Sequence, residues 1–108
     1  MPAQARVDDK IRIDCPHGPQ TGIIITGAER EYVDGKKAAR KTDKVVCTTC
    51  GEIWEIVEGS PRKFTEGQPV ARVGDLCKGT CSFGEKCCSH PDQTGRIIEG
   101  SPRYFVDG

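Results

Sequence analysis

Short apolar runs, cut every few residues by Gly or Pro, run the length of this chain. Three of them are rich in β-branched side chains: Gly22-Ile23-Ile24-Ile25-Thr26, Glu52-Ile53-Trp54-Glu55-Ile56-Val57-Glu58 and Gly95-Arg96-Ile97-Ile98-Glu99. Their composition and their turn-forming borders predict strands. Ile and Val fill 17 positions while Leu and Met fill one each, Leu76 and Met1, and that ratio is one of strands. With 13 Gly and 7 Pro, almost no uninterrupted window is long enough for a helix, so the expected fold is all-β.

The runs recur inside a longer pattern. Three segments open with Ala-Arg and an Asp three residues after the Arg: Ala5-Arg6-Val7-Asp8-Asp9, Ala39-Arg40-Lys41-Thr42-Asp43 and Ala71-Arg72-Val73-Gly74-Asp75. Each closes on a Gly with a small residue, an aromatic five positions after that Gly, and an acidic-Gly pair. These ends read Gly27-Ala28 to Tyr32-Val33-Asp34-Gly35, Gly59-Ser60-Pro61 to Phe64-Thr65-Glu66-Gly67, and Gly100-Ser101-Pro102 to Phe105-Val106-Asp107-Gly108. Acidic-Gly pairs after a strand favour tight reversals. From Asp9 to Gly27, Asp43 to Gly59 and Asp75 to Gly100 the separations are 18, 16 and 25, so the third copy carries an insertion.

A unit of about 35 residues, made of a strand, a loop and a returning strand, cannot bury an apolar face alone. The copies, at about 5–38, 39–70 and 71–108, are therefore expected to pack about a shared axis. The predicted product is a single cone-shaped domain over residues 1–108 with pseudo-threefold symmetry.

Length and charge narrow the function. A chain of 108 residues buries only about two thirds of its unfolded surface, so its core is thin. Sixteen basic and sixteen acidic side chains cancel, which removes the electrostatic case for nucleic acid or an anionic membrane. The basic stretch from Lys36 to Lys44 reads as a solvated connection. No apolar run approaches the roughly twenty residues of a membrane span, and the N-terminus has no secretory signal pattern. The expected location is the cytoplasm, with any export left to a dedicated apparatus.

Seven Cys and two His introduce metal chemistry. An odd count in a reducing compartment argues against a disulfide framework and for ligation. Twelve residues before the anchor glycines stand Cys15, Cys47 and Cys88; ten before stand His17, Thr49 and His90. The second copy adds Cys50. Placed in the loops between rising and returning strands, Cys15, His17, Cys47, Cys50, Cys88 and His90 would meet at one apex. There a tetrahedral zinc ion, or iron in its place, substitutes for a missing core. Such a site contributes on the order of 10 kcal/mol.

Cys77, Cys81 and Cys87 lie in the third copy outside this set; they form a second ion site or are buried or disulfide-linked thiols. The plainer readings are surface histidines at His17 and His90 and a core side chain at Trp54. A redox role for Cys47-Thr48-Thr49-Cys50 lacks the helix N-terminus that lowers a thiol pKa. Cys88 with His90 as nucleophile and base lacks a group to orient the imidazole. No phosphate or dinucleotide loop is present, so no enzyme is expected.

Pro69-Val70-Ala71-Arg72-Val73-Gly74-Asp75, with Gly59-Ser60-Pro61 before it and Gly100-Ser101-Pro102 after, resembles the PAAR repeat family. The family pattern joins Gly-Ser-Pro, a strand, a turn and Pro-x-Ala-Arg-x-Gly-Asp. The resemblance spans essentially the whole chain. It departs at Gly27-Ala28-Glu29 in place of Gly-Ser-Pro, and at Asp8 and Thr42 where Gly is usual. It implies a β cone with zinc near its point, docked by its base onto a trimeric VgrG-like β-helical spike.

Such tips, one per trimer, serve type VI secretion, tailocins, phage tails and extracellular injection systems. The implied function is a structural cap that sharpens the spike and helps pierce a membrane, contacting the target only transiently. It is a monomer when free, carried out on the spike, with effector proteins as further partners. Family zinc sites are rich in His, whereas this chain is rich in Cys. Two alternatives belong to other classes: a small zinc-binding carrier or interaction module unconnected with secretion, and a thiol redox protein.

Overall fold

Alternation of inward and outward side chains, interrupted by turn residues, folds the described residues into ten strands and no helix. The structure is a computed structural model and describes residues 2–13, 20–48, 51–79 and 93–106. Each copy supplies one long hairpin. These are β1 (Lys10–Ile13) with β2 (Gln20–Ile24), β5 (Lys44–Cys47) with β6 (Ile53–Ile56), and β9 (Leu76–Gly79) with β10 (Gln93–Ile97). All neighbours are antiparallel and the six close into a barrel in the order β1-β10-β9-β6-β5-β2.

The three predicted strands are therefore present. Two of them are displaced toward the N-terminus, leaving Ile25 and Ile98 beyond the strand ends and about half exposed, where their amides still donate to Lys44 O and Lys10 O. Closure satisfies the strand edges that a lone hairpin would leave open.

Equivalent positions of the copies form layers across the interior, all buried. Ile24, Ile56 and Ile97 make one layer, Ile11, Val45 and Cys77 another, and Ala5, Ala39 and Ala71 a third. The alanines define the axis. Ala5 N donates to Ala71 O, Ala39 N to Ala5 O and Ala71 N to Ala39 O, at 3.0, 3.0 and 2.9 Å, a cyclic set that only three converging segments can make. The pseudo-threefold arrangement is thus written in backbone hydrogen bonds as well as in sequence.

At the end remote from the long loops, two of the three acidic-Gly pairs reverse the chain, while Asp107-Gly108 lies outside the described residues. Hairpins β3 (Tyr32–Val33)/β4 (Lys36–Lys37) and β7 (Phe64–Thr65)/β8 (Gln68–Pro69) turn through Asp34-Gly35 and Glu66-Gly67. The φ values are 53° and 80° in the first and 50° and 81° in the second. Two consecutive positive φ angles match the right-handed strand twist.

The third equivalent is assembled from both ends of the chain. Gln4 N donates to Tyr104 O and Val106 N to Pro2 O, both at 2.9 Å, just as Ala38 N donates to Glu31 O and Val70 N to Lys63 O. Residues that precede the first repeat thereby complete the third. Behind the three lie matching small cores: Ala28, Val33 and Ala38; Ser60, Thr65 and Val70; Ser101, Val106 and Gln4. Gln4 Oε1 accepts from Lys63 Nζ at 3.2 Å, while its buried Nε2 has no partner among the described residues.

The departures from Gly noted at Asp8 and Thr42 coincide with strain. Their φ angles are 78° and 81°, against 95° at the equivalent Gly74. For a β-branched residue this region costs about 1–3 kcal/mol, while Gly loses about 0.5–1 kcal/mol in chain entropy. Thr42→Gly is expected to raise stability by about 1 kcal/mol, read as a higher urea midpoint at unchanged slope; Asp8→Gly should gain less, because Asp tolerates the left-handed region better.

Candidate functional site

The Ala-Arg…Asp motif folds into a clamp. In each repeat the Asp carboxylate accepts from the backbone N of the motif Arg at 2.8, 2.8 and 2.7 Å and takes the guanidinium fork through Nε and Nη2 at 2.8 to 3.1 Å. The same Nη2 reaches the carbonyl of the preceding repeat's anchor: Arg6 to Gly100, Arg40 to Gly27 and Arg72 to Gly59, each at 3.4 Å. The anchor is Gly for want of room. A Cβ at Gly27 would stand 2.7 Å from Ala38 O. Asp9 and Asp43 hold the Arg6 and Arg40 guanidiniums above their ordinary range through these hydrogen bonds. With both forks and carboxylates consumed, the motif ties repeat to repeat.

Gly-Ser-Pro is a turn device. Ser60 Oγ accepts the amides of Arg62 and Lys63, and Ser101 Oγ those of Arg103 and Tyr104, at 3.0 to 3.1 Å. Ala28 has no such oxygen. In its place Glu66, from the neighbouring repeat's turn, accepts from the amides of Glu29 and Arg30 at 3.1 and 3.0 Å, which lowers the Glu66 pKa.

The rising strands all run one way, so the strand ends that bracket the three loops, Ile13 and Gln20, Cys47 and Ile53, Gly79 and Gln93, lie at one end of the barrel. Of the expected ligands, Cys15, His17, Cys50, Cys88 and His90 lie outside the described residues, as do Cys81 and Cys87. Cys47 lies inside them, not in the loop but as the last residue of β5, fully buried, equivalent to Ile13 and opposite Gly22. Cys77 fills the core position of Ile11 and Val45, and burial pushes its thiol up to about 12. It serves there as a small apolar side chain. Among the described residues no group of three or more Cys, His, Asp or Glu side chains is placed to hold an ion.

The opposite end is the base. Tyr32, Phe64 and Phe105 occupy equivalent positions and are 57%, 57% and 47% exposed, with Tyr104 beside them at 51%. Exposure places all three on the surface rather than in the core. Between each anchor Gly and its aromatic stands an exposed Arg: Arg30, Arg62 and Arg103. Sequence reasoning did not single these out. The signal was their constant offset of three from the anchor Gly.

Among known proteins, a search of the curated set gives no match. A family model described as PAAR motif matches residues 15–84, well over half of the chain, and takes in the second clamp, the third and the loops between them. On that match and this architecture, the chain belongs to the PAAR motif family.

Proposed function

We propose that this protein is a spike tip of a contractile injection system, a structural part that caps a trimeric VgrG-like β-helical spike and helps it breach a target membrane. Family membership implies the spike-tip role. The observation that carries the finer reading is the cyclic alanine ring, with the aromatics Tyr32, Phe64 and Phe105 exposed about the same axis. A trimer's end offers three identical surfaces, and one chain with three equivalent ones covers them without breaking the interface symmetry. Tyr and Phe are the residue types that anchor such interfaces. The chain is made in the cytoplasm and leaves on the spike.

At the other end zinc, or iron, would supply a cross-link between loops, its four ligands drawn from Cys15, His17, Cys47, Cys50, Cys88 and His90. Thiolate and imidazole suit a tetrahedral ion. Native mass spectrometry of the tip mixed with its spike protein reads both claims. One chain per three spike chains, carrying the mass of a bound ion, is the expected result; a three-to-three complex would sink the capping proposal.

A further inference from the structure

The whole chain is neutral, yet its base is not balanced locally. Among the described residues the acids there, Glu29 apart, are engaged within the fold: Glu31 accepts from Thr65 Oγ1, Asp34 from Arg6 and Ser101, and Glu66 from two backbone amides. The guanidiniums of Arg30, Arg62 and Arg103 make no hydrogen bond or ion pair among the described residues, and all three are exposed. Lys37 and Lys41 add exposed positive charge nearby, against Glu29. Three unpaired forks thus recur at one offset from the anchor Gly, two residues before the aromatics Tyr32, Phe64 and Phe105.

From this we infer that the base receives carboxylates. The partner presents to Arg30, Arg62 and Arg103 at least one acidic side chain or chain-terminal carboxylate from each of its three subunits. This rests on the base being the docking face and names the chemistry that the face selects. A planar fork pairs with a carboxylate through two parallel hydrogen bonds, which fixes orientation as well as attraction. Aromatics beside the forks exclude water from the pairs and strengthen them. Because the spike subunits are identical, each Arg meets the same group, so the three contribute equally despite their different neighbours Glu31, Lys63 and Tyr104.

The test measures binding of the full chain to its purified trimeric spike protein, with melting temperatures as a fold check. Arg30→Gln, Arg62→Gln and Arg103→Gln should each weaken binding about 5–10-fold, within about twofold of one another. The triple variant should lose more than about 100-fold. Raising salt from about 0.1 to 0.5 M should weaken the wild type and barely touch the triple variant. Arg→Lys should restore only part of the loss.

If the Arg variants bind as wild type while Phe64→Ala weakens the complex, the base docks the spike but receives no carboxylate, and this inference falls alone. If neither set changes binding, the docking face lies elsewhere and both readings fall. A triple variant that keeps the spike but loses a DNA duplex would reassign the ring to a polyanion.

Discussion

Trp54→Ala is expected to cost about 3–5 kcal/mol, a large share of the stability of a domain this small. Trp54 belongs to the barrel layer nearest the loops, where the three strand contacts are filled by unequal pairs: Cys47 lies opposite Gly22, Ile13 opposite Gly95, and Trp54 over Gly79. In every pair one partner is Gly. The indole takes the volume that Gly79 leaves, and a Cβ there would lie inside the ring's van der Waals envelope. Gly79→Ala should therefore cost about 1–3 kcal/mol by displacing the ring.

The pair has a stronger test than either single change. Trp54→Gly together with Gly79→Ile rebuilds the Gly95–Ile13 pairing at this contact, so the double variant should be well above the sum of the singles in a urea denaturation series. Additive losses would mean that the layer is not filled by pairwise sharing of volume.

Arg40→Ala is expected to lower stability by about 2–4 kcal/mol through two losses at once. The Asp43 side chain, 6% exposed, is left among the described residues with the residue-40 amide and Thr26 Oγ1 as donors. An uncompensated, nearly buried carboxylate is the costly case. The Gly27 carbonyl of the preceding repeat also loses its guanidinium. The Arg40 side chain is 18% exposed, so this is not a screened surface pair of little worth. Arg40→Lys should recover only part, because a point charge cannot bridge the carboxylate and the carbonyl as the fork does. A drop in the urea midpoint equivalent to under about 1 kcal/mol would show that the clamp does not join the repeats.

The same contacts show how far reading residues could go. β-branched composition and turn-forming borders located β2, β6 and β10, and acidic-Gly pairs located two reversals, because strand composition and turn chemistry are local properties of the chain. The repeat register also marked Asp8 and Thr42 as departures at positions that proved to need positive φ. Cys47 was expected in a loop and stands instead at the end of β5, while Cys77 takes the buried-thiol reading of the two left open for it. Spacing groups sulfur with sulfur, but whether a Cys points outward or toward the axis depends on strand phase and on what fills the space opposite. Both face the core, Cys47 across from Gly22 and Cys77 in a layer with Ile11 and Val45. Their chemistry as residue types was legible, and burial was one of the readings open for Cys77; the inward phase of Cys47 was not legible.

By itself, then, the order of residues determined an all-β chain of three like units and the anchors, turns and aromatics that mark them. Tertiary structure decided how those units meet. It made the Ala ring, set one Trp against a Gly across two repeats, lent Glu66 to a turn that lacks a Ser, and drew Pro2 to Gln4 into the third unit. It also left Arg30, Arg62 and Arg103 unpaired while their acidic neighbours were engaged. Volume and charge at a junction are shared between segments far apart in sequence, so their balance exists only once the ring is closed.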